Sequence, residues 1–167
     1  MNAIIGSFDA DLAALAKEML GCMYDDAGGS RDSGVGLAAP QVGVNVRLMV
    51  FNPTGEASKP EQEVVLVNPR VVSTGGGLEV GEEGCLSFPG IYGDVARPAR
   101  VKVRAQRLDG TTFQLVLEGF PARVFLHEFD HLQGVLFHER MEPAAAEKAG
   151  PLLRGLEGGW EKTAAQG

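Results

Sequence analysis

His127-Glu128-Phe129-Asp130-His131 is the stretch on which the reading of this chain turns. In a helix, His127 and His131 stand one turn apart on the same face. Two imidazoles so placed can grip one divalent metal, and Glu128 beside the first can carry a water proton. This is the pattern of a hydrolytic, zinc-type helix. Catalytic sites of this kind usually take three protein ligands and a water, so the rest of the chain must supply the third.

The chain has 167 residues, enough for a sizeable core, and no repeat or internal linker divides it. A single domain over 1–167 is expected. Its 44% apolar and 22% charged residues are ordinary for a soluble globular protein. A formal net charge of −7 disfavours sequence-independent nucleic-acid binding, which needs basic surface. No apolar run approaches the roughly 20 residues of a membrane helix. Met1 to Ala10 lacks the charged and apolar regions of a signal peptide, and a removed leader would leave no trace. The two cysteines, Cys22 and Cys85, cannot make a disulfide-dense scaffold.

Working outward from the His-Glu segment, Pro121 suits the first turn of its helix. Upstream, Val101–Leu108, Asp109-Gly110 and Phe113–Leu117 read as a hairpin, because Asp-Gly suits a tight turn between alternating strands. Glu63–Val67 and Arg47–Phe51 read as short strands, each followed closely by Asn-Pro. Val71 and Val72 extend the former after a break at Pro69, and Gly75-Gly76-Gly77 reads as a turn. Asp9 can cap a helix whose apolar positions are Leu12, Leu15, Ala16, Met19, Leu20 and Met23. Gly28-Gly29-Ser30 ends that region in a loop. Downstream of Pro143, an Ala/Glu/Leu-rich stretch to about Lys162 reads as a terminal helix, weakened by Gly150-Pro151 and Gly158-Gly159. The sum is an α+β fold: mostly antiparallel sheets around a central metal-binding helix, with a C-terminal helix.

Three candidates compete for the third ligand. A metzincin-like helix continues to Gly134, which fits, and then places a His at 137. That position is Phe137. His138 is off by one residue, or about 100° around a helix. A thermolysin-like site would use a downstream Glu, of which Glu147 is nearest. Cys85, in Glu82-Glu83-Gly84-Cys85-Leu86-Ser87, offers a thiolate, a strong ligand for zinc or ferrous iron. The plainer alternative for a lone cysteine is a small buried apolar residue. Cys22, inside the Asp9 helix, is read that way.

Three segments together resemble peptide deformylase. Gly34-Val35-Gly36-Leu37-Ala38-Ala39-Pro40-Gln41 is similar to its first motif, Glu83-Gly84-Cys85-Leu86-Ser87 to its second, and His127 to Gly134 to its third. They stand in the family's order, and the resemblance runs from about Asp9 to Met141. Phe88 to Pro98, with Tyr92 where bacterial members often have Arg, resembles the plant and algal organellar (type 1B) form. Family members usually carry a strand and a Pro-Asp-x-x-Leu segment ahead of the first helix. Here the chain is expected to be trimmed or to replace that strand, which touches the edge of one sheet rather than the metal site.

The resemblance implies removal of the N-formyl group from the initiator methionine of nascent polypeptides, releasing formate. Cys85, His127 and His131 would hold one divalent ion, Fe(II) or Zn(II). Glu128 would act as general base. The Gln41 amide and the Leu86 backbone N–H would stabilise the tetrahedral oxyanion. Gly36, Leu86, Ile91, Tyr92, Phe125 and Leu126 are candidate walls of the substrate pocket. The implied partners are N-formylmethionyl nascent peptides and, transiently, the ribosome exit region, with no direct nucleic-acid specificity and no membrane. A monomer or weak homodimer is expected, in the plastid stroma or mitochondrial matrix, or otherwise the bacterial cytoplasm.

The residues support supplementary readings. A dinucleotide fingerprint at the first motif would need a preceding strand and a following helix. Pro40 interrupts any helix and Arg31-Asp32-Ser33 is no strand, so a turn is expected whose small residues let a backbone or substrate approach closely. Glu83, if buried, needs a cation, and Arg97 is the candidate; the alternative is a solvated pair with Glu82. Asp130 either orients a neighbour of the metal site or faces solvent. His138 is read as a surface or packing histidine. Two other functions remain: a metalloprotease acting on internal peptide bonds, and a metal-stabilised binding domain. A structural site, however, usually closes with four protein ligands and has no need of Glu128.

Overall fold

Asp9 opens the first helix as expected. Its side chain accepts from the Leu12 N–H at 3.0 Å, satisfying one of the donors that a helix start leaves over, and α1 runs Ala10–Tyr24. The structure, a computed structural model, describes residues 2–25 and 34–164, with side chains as far as residue 155. The loop expected at Gly28-Gly29-Ser30, like Arg31-Asp32-Ser33, lies outside the described residues. Leu12, Ala16, Met19 and Met23 form the buried stripe of α1. Cys22 falls off that stripe and is exposed, which corrects the expectation of a buried thiol.

The strands are β1 (Gly36–Ala38), β2 (Leu48–Phe51), β3 (Val64–Cys85), β4 (Phe88–Gln106) and β5 (Thr112–Glu118). They form one five-stranded sheet in that spatial order. Two helices follow, α2 (Phe120–Gln133) and α3 (Pro143–Ala164). The α+β class holds, with one sheet where several were expected. β2 explains how the sheet is placed. Met49 and Phe51 join Phe125, Leu126 and Leu132 of α2 in one core cluster. Leu48 and Val50, pointing the other way, join the α1 stripe in a second. A strand buried on both faces reads as a continuous apolar run, and each large side chain so buried contributes about 1.5–3 kcal/mol.

β3 runs through the two places where an interruption was expected. At the Pro69 break, Asn68 takes a left-handed φ of 50°, a conformation asparagine tolerates better than most side chains. Its side chain then ties the position down. Nδ2 donates to Ile5 O at 2.8 Å and to Gln106 Oε1 at 2.7 Å, while Oδ1 accepts from the Ile5 N–H at 2.9 Å. At Gly75-Gly76-Gly77, positive φ of 78° at Gly76 and Gly77 distorts the strand locally without reversing it. The reversal comes instead at Leu86-Ser87, a two-residue turn into β4. The Asp109-Gly110 turn is present, with the Thr111 N–H donating to Asp109 Oδ1 at 2.8 Å. The N-terminal residues add a single parallel bridge, Ala3 to Val46, beside β2.

Cα packing divides the chain into two compact units. The first, Met1–Leu78 with Pro98–Val135, holds α1, α2 and the two clusters just described. The second, Glu79–Arg97 with Leu136–Gly167, has a core of its own made by Phe88, Ile91, Val95, Phe137, Met141 and Ala149. Val95 bridges Met141 there, and the Glu142 N–H donates to Asp94 O at 2.8 Å.

Candidate functional site

α2 starts with Pro121 in its first turn, where a missing N–H leaves no intrahelical bond unmade. It stops at Gly134, whose left-handed φ of 76° lets its N–H reach the carbonyls of Asp130 and His131. Phe125, Leu126 and Leu132 turn one side of the helix into the core. The same burial takes in His127 (8% exposed), Glu128 (4%), Asp130 (6%) and His131 (6%). Burying four polar side chains on one short helix costs free energy that apolar residues would not. The imidazole rings of His127 and His131 lie 5.0 Å apart, centroid to centroid, at 74°. Two nitrogen donors at that separation suit a shared ion. Burial also removes the solvent-exposed alternative for Asp130.

The end of α2 that carries His131 is held from distant parts of the chain. Asn2 Nδ2 donates to Leu132 O at 3.1 Å and, at the limit of a hydrogen bond, to His131 O at 3.5 Å. Arg47 Nη1 donates to Leu132 O at 3.4 Å, and its guanidinium sits 5.7 Å from the centre of the Phe129 ring. These groups supply partners for carbonyls that a helix end leaves over. Sequence reading missed both, because Asn2 lies 130 positions from Leu132 and Arg47 lies 85, and no local pattern marks them.

Gly36 meets this helix directly. A Cβ added there would stand 2.6 Å from Glu128 Oε1 and 2.8 Å from Glu128 Cγ. The close approach expected of the first motif is therefore made by the side chain of Glu128. The motif forms β1 and then a 3₁₀ turn, Ala39–Val42, in place of the expected simple turn. Gly36→Ala should push the buried carboxylate aside while leaving both imidazoles in place. The expected result is normal metal content with kcat lowered up to about 10²-fold, the scale of a misplacement on the order of 1 Å. Wild-type kcat in that variant would remove the steric argument.

Gln41 sits in the 3₁₀ turn. Its Oε1 accepts from the Ala38 N–H at 2.8 Å. With the amide oxygen so engaged, the Nε2 end, the donor end, is turned away from that backbone.

In the second unit, Cys85 closes β3 and is half-buried. Leu86 is 46% exposed and Tyr92 50%, whereas Ile91 is buried. Tyr92 lies across Gly84, where an added Cβ would meet its ring at 2.6 Å. Glu83 and Arg97 form the expected pair. Arg97 Nε donates to Oε1 and Nη2 to Oε2, both at 2.9 Å. Both residues are buried, so the solvated pairing with Glu82 does not occur. A two-point guanidinium–carboxylate contact fixes geometry as well as charge. It ties β3 to β4 close to Cys85.

The competing ligand candidates belong to the second unit. The helix has already ended before Phe137, which is 1% exposed in its own core, and His138 belongs to a separate 3₁₀ turn. The His138 ring packs edge-on against Phe88 at 5.1 Å, as a packing histidine does. Glu147 is exposed on α3. Of the proposed pocket walls, Phe125 is fully buried and stacks on Phe129 at 5.6 Å, and Leu126 is 9% exposed.

The family model for polypeptide deformylases matches residues 3–147 of this chain. The chain belongs to that family. The chloroplastic peptide deformylase 1B of Solanum lycopersicum is 51% identical over 160 residues, covering 96% of this chain and 55% of that protein. The chloroplastic enzyme of the same name from Oryza sativa subsp. japonica is 49% identical over 162 residues, covering 97% and 58%. The crystal structure of Arabidopsis thaliana peptide deformylase 1B in complex with an inhibitor superposes with a TM-score of 0.88 at 44% identity, covering 97% of this chain and 86% of that one. The likeness to the plant organellar form, expected from Phe88 to Pro98, is upheld. The chain spans about half the length of these curated plant relatives.

Proposed function

We propose that this chain removes the N-formyl group from the initiator methionine of nascent polypeptides, releasing formate, and that its two units act as one catalytic domain. The observation that carries the reading is the buried His127-Glu128-His131 face of α2 in a chain of the polypeptide deformylase family. In this reading Cys85, His127 and His131 hold one divalent metal, Fe(II) or Zn(II). The donor set supports it. A thiolate with two imidazoles suits either ion. When bound, such an ion supplies Lewis acidity, polarising the formyl carbonyl and making a water more acidic.

The protein's own groups do the rest. Glu128 takes a proton from the attacking water as the new C–O bond forms. The Gln41 Nε2–H and the Leu86 N–H donate to the oxyanion that develops on the formyl oxygen. Glu128 then returns its proton to the amine nitrogen, the C–N bond breaks, and formate leaves a free N-terminus. Gly36, Leu86, Ile91, Tyr92, Phe125 and Leu126 shape the pocket for the methionine end, Phe125 from within the core. The chain works transiently at the ribosome exit region, as a monomer or weak homodimer, in the plastid stroma or mitochondrial matrix, or otherwise in the bacterial cytoplasm. Relatives described as chloroplastic, and in Arabidopsis thaliana as chloroplastic or mitochondrial, support the organellar compartments.

Anaerobic purification with metal analysis, run beside an assay of formyl-Met-Ala-Ser and its unformylated counterpart, tests the reading. Stoichiometric divalent metal and formate release from the formylated peptide alone are expected. Cleavage of internal bonds without formate release would point to a protease instead.

Gln41→Leu should keep the metal and the fold but lower kcat, with a smaller change in KM. Leucine has similar length and cannot donate, and the missing bond grows as the oxyanion forms. One lost oxyanion donor costs roughly 10²–10³-fold in kcat. The competing view makes Gln41 a prop for the 3₁₀ turn, through bonds such as that to the Ala38 N–H. Kinetics and a melting curve on one preparation decide between them. Unchanged kcat defeats the donor role, and a large drop in Tm favours the prop.

A further inference from the structure

β4 separates its side chains cleanly in the first unit. Val101, Val103 and Ala105 turn into the core cluster with α2, and Arg100, Lys102 and Arg104 alternate with them on the exposed face. Across the ladder, these cations stand opposite Glu118, Val116 and Gln114 of β5. A groove of about 320 Å³ adds Arg70 of β3, Thr112 and the exposed Ile4 beside Arg104. A second, of about 210 Å³, sets Ser73 and Thr74 beside Arg100 and Lys102. The face thus carries four cations and one acid, Glu118, which pairs with Arg100 at 3.1 Å. Lys102 and Arg104 make no ion pair among the described residues. In a chain of net charge −7, a local excess of three positive charges on one sheet face is a departure from the average.

We propose that this face docks the phosphodiester backbone of RNA, without reading its bases. Alternate residues of a strand recur every ~6.6–6.8 Å along one line, so the three β4 cations form a row that suits a linear polyanion. The hydroxyls of Ser73, Thr74 and Thr112 and the Gln114 amide are donors of the kind that contact phosphate and sugar. No aromatic side chain stands among these residues to stack a base, which limits the contact to the backbone. A membrane would call instead for several bulky apolar side chains able to insert, whereas the exposed apolar residues lining these grooves are Ile4 and Val116, set among four cations. The choice of RNA rests on the proposed function, since a nascent chain emerges from a ribonucleoprotein surface. The acidic remainder of the chain keeps the contact weak and releasable.

Anisotropy of a labelled 20-base-pair RNA duplex, titrated with the full chain at 50 and 200 mM salt, tests this. Three or four neutralised phosphates give a salt slope near −3, or roughly a 10²-fold loss of affinity between the two salts. K102E/R104E should weaken binding at 50 mM at least 10-fold and lower the slope by about 2. K148E on α3 should bind like the wild type. Both variants should release formate from a formyl-Met peptide at the wild-type rate, which reports intact folding. Absence of binding at 50 mM, equal binding by wild type and K102E/R104E, or binding to phosphatidylserine vesicles in place of RNA would each overturn the proposal. RNA binding by a chain that releases no formate would leave the surface standing and remove the deformylase reading.

Discussion

Glu128→Ala is expected to keep its metal and lose most of its turnover, about 10²–10⁴-fold in kcat, the usual contribution of a positioned proton carrier. The proposed ligands His127 and His131 are untouched, and the alanine adds nothing that clashes with Gly36. What is removed is a carboxylate that is 4% exposed and lies against the β1 backbone. Its burial makes the assignment testable in a second way. A carboxylate that served only packing would change Tm without changing the rate of a correctly folded, metal-loaded preparation. Metal content and kcat measured on the same sample decide. Near-normal kcat at full metal loading takes Glu128 out of the mechanism.

Cys85→Ser is expected to cut metal content sharply and formate release with it, whereas Cys22→Ser should leave both unchanged. A serine hydroxyl is a far poorer ligand than a thiolate for zinc or ferrous iron. Cys22 is exposed on α1, away from the Leu12, Ala16, Met19 and Met23 stripe, so its replacement disturbs neither core nor site. Elemental analysis of the two variants and the wild type after anaerobic purification gives the answer directly. Equal metal in wild type and the Cys85 variant would dismiss the thiolate and return attention to the helix alone. Since Cys85 sits beside the buried Glu83–Arg97 pair, Arg97→Met offers an independent comparison. Leaving Glu83 buried without its cation is expected to destabilise the fold by about 3–5 kcal/mol, read as a lowered Tm.

Much of this was legible in the order of residues, and the reasons are local. The α1 cap at Asp9, the Pro121 start of α2 and the Asp109-Gly110 hairpin each depend on side chains within a few positions of the backbone they organise. A helix repeats every 3.6 residues, so the shared face of His127 and His131 follows from the sequence as soon as the segment is helical. The partnership of Glu83 with Arg97 follows from the cost of an unpaired buried charge. The three motifs carried the family.

Only the tertiary structure could decide the rest, because the energies involved come from residues far apart in the chain. Asn68 holds β3 through the Pro69 position by bonding Ile5 and Gln106, a contact no local rule contains. Cys22 is exposed because packing selected one stripe of α1, and helical periodicity alone leaves several adjacent stripes open. Gly36 has to be glycine because Glu128 comes to lie on it, and Asn2 and Arg47 brace the His131 end of α2 from across the fold. Local chemistry is written in neighbouring residues and can be read there. Close approach is a property of packed surfaces, and it exists only once the chain has folded.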